Sequence, residues 1–144
     1  MLRNFNLWGI CALVLTGCAP AASGVIRLPE LQLKDSKVSM NAELSYVLQV
    51  QLTNPNPFPL HLKNISGQWI LNGKISHALK LPDLVLPPSG NLSYNLNTTG
   101  PIPDGFKTDK THTFRFDGGY LLEAQGKQTT LQEYTLWQGA FRLP

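Results

Sequence analysis

The sequence is short of almost everything that usually announces an activity. It holds two cysteines in 144 residues, three scattered histidines and few charges, 15% of the chain. Two cysteines with no paired partners give no metal-binding or redox spacing. Basic residues exceed acidic ones by only three, and no Lys/Arg run or aromatic-basic repeat occurs. That leaves no footprint for nucleic acid. No phosphate-cradling glycine loop, Gly-x-Ser-x-Gly elbow, His-Glu-x-x-His or Cys-x-x-Cys is present. His61, His77 and His112 are far apart, and Asp83, Asp104, Asp109 and Asp117 fall in turn-like contexts. No catalytic residue, metal ligand or cofactor is expected. No apolar run reaches the ~20 residues that a membrane helix needs.

What is present begins with residues 1–17. Arg3 and the amino terminus precede the apolar run "LWGICALVLTG", the form of a secretory signal. The run ends in "LTGC", Leu15 to Cys18, which resembles the lipobox of bacterial lipoproteins. The resemblance implies a diacylglyceryl group on the Cys18 thiol, cleavage before Cys18, and acylation of the new amino terminus. Ala19 follows, not the Asp of inner-membrane retention. The expected address is therefore the bacterial envelope, on the outer membrane facing the periplasm. Cleavage of residues 1–17 would leave 127 residues, with eleven basic and nine acidic side chains and no disulfide. Residues 18–25 would be the lipidated cysteine and a short tether. At about 3.3–3.6 Å per residue the tether reaches ~25 Å. Residues 26–144 would form one domain, large enough for a core without staples.

Within that domain the apolar pattern has period two. "ELQL" opens a first strand with Leu31 and Leu33, at a sheet edge because of Pro29. Leu44, Tyr46, Leu48, Val50 and Leu52 alternate with mostly polar residues, the cleanest strand in the chain. Ile65, Trp69 and Leu71 share one parity, and Asn72-Gly73 predicts a type I′ hairpin. Pro87, Pro88 and Gly90 predict a turn, Leu92, Tyr94 and Leu96 another strand, and residues 99–111 a polar loop. Phe114 and Phe116 open a further strand, with a bulge at Gly118-Gly119, and "GK" at 126–127 turns into the last. About seven strands without a helix predict an antiparallel β-sandwich of immunoglobulin or fibronectin-III type.

One stretch, "LTNPNPFPL", interrupts this pattern. Pro55, Pro57 and Pro59 delete three backbone donors on one side of an extended chain. Asn54, Asn56 and Phe58 precede prolines and are held in extended geometry. The segment should be stiff, extended and unable to pair. Asn54 and Asn56 continue the inward parity of Leu48, Val50 and Leu52. Buried there, they need partners, expected in the backbone of the neighbouring loop. A solvated proline loop is the alternative.

On these residues the chain resembles the LEA type 2 family, the late embryogenesis abundant group that includes the WHy domain. The resemblance rests on Asn54-Pro55-Asn56-Pro57-Phe58-Pro59 after an alternating strand. It is extended by "GQWILNGKIS" and "LPPSGNLSYNL", and covers about Ile26 to Arg142. It implies a fibronectin-III-like sandwich without enzyme activity, linked to desiccation and other stress through protection of other proteins. Bacterial members often carry lipoprotein signals, and related domains have been proposed to hold lipid in an apolar groove. The resemblance carries no set of ligand residues. The implied partners are the membrane, through the anchor, and partially unfolded or envelope proteins. The alternatives are a lipid-binding or lipid-transfer accessory, with an apolar groove between the sheets, and an envelope assembly scaffold.

Overall fold

The structure is a computed structural model that describes residues 25–144. Cys18 and the signal and tether residues up to 24 lie outside the described residues. Among the described residues there is no helix, and eight strands form two antiparallel sheets. They are β1 (Glu30–Met40), β2 (Leu44–Thr53), β3 (Leu60–Leu71), β4 (Lys74–Lys80), β5 (Leu84–Leu86), β6 (Asn91–Gly100), β7 (Thr111–Ala124) and β8 (Lys127–Arg142). One sheet has the order β1-β2-β6, the other β4-β3-β7-β8, with β5 also paired to β3. The antiparallel sandwich read from the alternating pattern is thus the fold. The count is eight, not about seven. Leu84–Leu86 was expected to be turn, but Leu84 and Leu86 are buried and pair with Leu62 and Leu60.

The inward set of β2 comprises Leu44, Tyr46, Leu48, Val50 and Leu52, all fully buried. Its register against β6 runs unbroken from Leu44–Gly100 to Thr53–Asn91. Facing it, Trp69, Phe114, Phe116 and Trp137 supply the aromatic part of the core. Tyr46 meets Trp69 edge-on at 4.9 Å, and Trp69 stacks on Phe114 at 5.2 Å. Both geometries suit the ring quadrupole. Tyr46 Oη, Trp69 Nε1 and Trp137 Nε1 are buried without hydrogen-bond partners of good geometry. Burial pushes the Tyr46 phenol above its ordinary value, partly offset by the neighbouring Trp69 indole.

Bulges set the phase elsewhere. The register of β1 shifts between Leu33 and Asp35, so the inward residues change parity from Leu31 and Leu33 to Val38. Asn64, at φ 53°, sits where β3 carries an extra residue against β7. Gly118 and Gly119 lie where β8 bulges against β7, with Glu133 at φ 61°. Glycine is required there by close approach. A Cβ on Gly118 would lie 2.3 Å from the Ser66 carbonyl oxygen, and one on Gly119 2.0 Å from that of Leu131.

Candidate functional site

The proline segment is the connection from one sheet to the other, between β2 and β3. Asn54 and Asn56 are buried, at 1% and 2% exposure. Asn54 Nδ2 donates to the carbonyls of Phe58 (2.8 Å) and Pro87 (2.9 Å), with a longer approach to Leu86 (3.4 Å). Asn54 Oδ1 accepts from the Asn56 backbone N–H (2.9 Å) and from Asn56 Nδ2 (3.0 Å). Asn56 Nδ2 also donates to the Arg27 carbonyl (2.8 Å), and Asn56 Oδ1 accepts from the Arg27 N–H (2.9 Å). Main-chain bonds complete the corner: Asn54 N–H to the Gly90 carbonyl and Ser89 N–H to that of Asn56, both 2.8 Å.

Two details differ from the sequence expectation. The segment is not extended throughout; it bends at residues 56–58. The bond from Asn54 to Phe58 closes that bend, so side-chain bonding overrides the extended preference of residues before proline. The second is the partner set. The 86–90 loop supplies the Leu86 and Pro87 carbonyls to Asn54, but the two-way bond of Asn56 goes to Arg27, near the start of the described chain. No period-two pattern could announce that pairing across 29 residues.

At the other end of the sandwich, Asn72 (φ 49°) and Gly73 (φ 79°) form the two-residue turn between β3 and β4. Asn72 is also tied to β7. Its N–H donates to the Thr113 carbonyl (2.8 Å), and its Oδ1 accepts from the Thr113 N–H (3.0 Å). Its Nδ2 donates to His112 Nδ1 (2.8 Å), and His112 Nε2–H donates to the Lys107 carbonyl (2.7 Å). These partners fix the neutral Nε2–H tautomer, because an amide N–H can only donate and a carbonyl only accept. Phe106 stacks on His112 at 4.0 Å, so the loop expected to be polar folds an aromatic ring onto the domain. Beneath it lies a solvent-open cleft of about 570 Å³, lined by Leu71, Asn72, Lys74, Ile75, Lys107 and Lys110 among others. This cleft was not foreseen, because its walls come from four separate segments.

The histidines occupy separate elements: His61 in β3, His77 in β4 and His112 in β7. His77 joins the two sheets. Its Nε2 bonds Thr98 Oγ1 (2.8 Å) and its Nδ1 bonds Ser76 Oγ (3.0 Å). Burial pushes its pKa below the ordinary 6.5, and Glu43 opposes this weakly. Asp117 is bound by Arg115 Nε and Thr135 Oγ1, each at 2.7 Å, and Asp83 accepts from the Asn64 N–H (3.1 Å). Lys63 holds the exposed Glu123 carboxyl below its usual range. Among the described residues no three His, Cys, Asp or Glu side chains gather as a metal site. None of the described helices could cross a membrane, since the described residues form strands.

No protein-family model matches the chain, and neither does any curated protein. Solved structures do. The solution structure of a candidate late embryogenesis abundant protein, At2g46140.1, aligns over 83% of this chain and 73% of its own length. Its TM-score is 0.60 at 20% identity. An X-ray structure of a structural-genomics target, SoR45, aligns over 84% and 91%, with TM-score 0.57 and 12% identity. The solution structure of AT1g01470 from Arabidopsis thaliana aligns over 83% and 85%, with TM-score 0.51 and 20% identity. At these identities what is shared is the fold: this chain is an antiparallel β-sandwich built like that of the candidate late embryogenesis abundant protein.

Proposed function

We propose that this chain is a non-enzymatic LEA type 2 lipoprotein, anchored through Cys18 in the bacterial envelope. It sits on the outer membrane facing the periplasm and protects envelope proteins or membranes under desiccation or other stress by non-covalent binding. One observation carries the reading. The residues on which the LEA type 2 resemblance rests, Asn54 to Pro59, are those that fix the crossing between the two sheets, through two buried asparagines. The motif is thus tied to a fold that a candidate late embryogenesis abundant protein shares.

The geometry adds an orientation. Arg27 is bonded to Asn56, so the chain enters the sandwich at the corner end. Residues 18–24 reach ~25 Å at most. A lipid on Cys18 would hold the corner near the membrane and direct the Asn72–Gly73 end away from it. One acyl chain gives marginal binding at ~0.8 kcal/mol per buried CH₂; two or more anchor firmly. The lipid-carrier alternative fares less well. Trp69, Tyr46, Phe114 and Phe116 occupy the space between the sheets, and an acyl chain there would have to displace them.

Purified residues 19–144 are expected to lower the light scattering of a test enzyme during heating. No effect at molar excess would count strongly against the proposal. Cys18→Ser should abolish acyl labelling and membrane retention; unchanged retention would refute the anchor.

A further inference from the structure

The sandwich has four outer strands beside the three-residue β5: β1 and β6 in one sheet, β4 and β8 in the other. An outer strand offers unpaired N–H and C=O groups to any extended chain, and folded proteins blunt such edges with charge, proline or bulges. Three of the four are blunted here. β1 carries Lys34, Asp35 and Lys37 and a register break. β4 is seven residues long, bounded by Lys74 and Lys80, and its pairing with β3 is broken between Trp69 and Ile70. β8 carries two bulges and Glu133 at positive φ.

β6 has none of these devices. Its ten residues, "NLSYNLNTTG", include no charge and no proline, and its register is unbroken. Near its end His77 of β4 bonds Thr98, and Gly100 lies against Ser76 and His77. Asn91–Asn97 has no such cover from β4. There Asn91, Ser93, Asn95 and Asn97 are exposed on the outer face, while Leu92 and Tyr94 on the inner face are only half-buried.

We infer that the open edge of β6, over Asn91–Asn97, is where this protein takes up an extended segment of a partly unfolded protein as an added strand. This rests on, and deepens, the protective reading above. Strand addition draws its affinity from main-chain bonds and its selectivity from alternate side chains. The uncharged outer face of β6 repels neither sign, so it admits segments of varied sequence. On the inner face, every second side chain of the guest would lie beside Leu92 and Tyr94 and complete their burial. The guest is therefore a segment with apolar residues at alternate positions, the kind a β-rich protein exposes on unfolding. A second copy fits less well. Antiparallel pairing of two β6 strands would set the chain entries at opposite ends of strands ~33 Å long. Tethers of ~25 Å in one membrane leaflet oppose that arrangement.

The test is hydrogen exchange on the full chain in lipid nanodiscs. The probe is a synthetic peptide copying Leu44–Thr53, itself alternately apolar, and, separately, a reduced and unfolded test enzyme. Amides of 91–97 should exchange at least ~10-fold more slowly with either probe. Tyr94→Lys, which places a charge on the guest's apolar side, should remove that protection. Asn95→Lys, on the exposed face, should weaken it while leaving the thermal midpoint unchanged, which covers the case of a misfolded Tyr94→Lys. Protection at β1, β8 or the Lys74–Lys110 cleft instead would overturn the inference. So would protection of 91–97 without a probe that grows with protein concentration, which would mean self-pairing. Suppressed aggregation without slowed exchange at β6 would overturn this inference alone. Slowed exchange at β6 without suppression would leave the strand site standing and remove the protective role.

Discussion

Replacing Asn54 by alanine should unfold the corner at a cost out of proportion to its size. Asn54 makes two good bonds as donor, to Phe58 and Pro87, and two as acceptor, from the backbone and side chain of Asn56. Alanine deletes all four. The Asn56 N–H is left buried without a partner, and Asn56 Nδ2 keeps only the Arg27 carbonyl. A buried polar group left unpaired costs ~1–3 kcal/mol. Phe58 is only partly buried and Pro88 is exposed, so water can reach the freed carbonyls, and they add less. Together the loss should be about 3–4 kcal/mol, a few-hundred-fold in the folding equilibrium. For a domain of this size that is a drop of about 10–15 °C in melting midpoint. The assay is urea unfolding of residues 19–144, followed by fluorescence of the buried Trp69 and Trp137. Asn54→Asp separates hydrogen bonding from shape. It keeps the acceptor but sets a carboxylate against the carbonyls of Phe58 and Pro87, so it should cost at least as much. A loss below ~1 kcal/mol in both variants would show that the asparagines are solvated, and the proline segment merely a loop.

Other consequences follow from the same geometry. His77 is held below 6.5 by burial, so the unfolded chain binds its proton first as pH falls. Stability should decline below about pH 6.5, and His77→Gln should flatten that part of a midpoint-versus-pH curve. Gly118→Val should cost more than ~2 kcal/mol by denaturant unfolding, because its Cβ would meet the backbone of Ser66 and Gly67 and not a movable side chain. Asn72→Ala should cost ~2 kcal/mol through the lost bonds to Thr113 and His112, and should speed proteolysis within residues 101–110. The Asn54→Ala assay without its urea series, read as a thermal melt, can rank all these variants.

The sequence showed what depends on strict alternation and little that depends on its interruption. β2 was readable because its five inward residues never change phase, and its register with β6 never slips. β8 was readable only in part. Its bulges place Leu136 and Trp137 side by side in the core, which no period-two template anticipates. β5 is too short to show a period. The corner was half legible. Parity pointed Asn54 and Asn56 inward, and the structure buries both. Their bond network with Arg27 and the 86–90 loop joins residues far apart in the chain, so only the fold reveals it. The open edge of β6 was equally hidden, because an edge is a property of sheet order and not of any one strand.

The most direct test of the protective role is recovery of a test enzyme's activity after drying beside vesicles that carry the lipidated chain. Recovery should exceed that with bare vesicles several-fold and scale with the amount of chain. It should fall when Tyr94→Lys closes the β6 edge. Recovery equal to that of bare vesicles, or of vesicles coated with an unrelated lipoprotein, would contradict it.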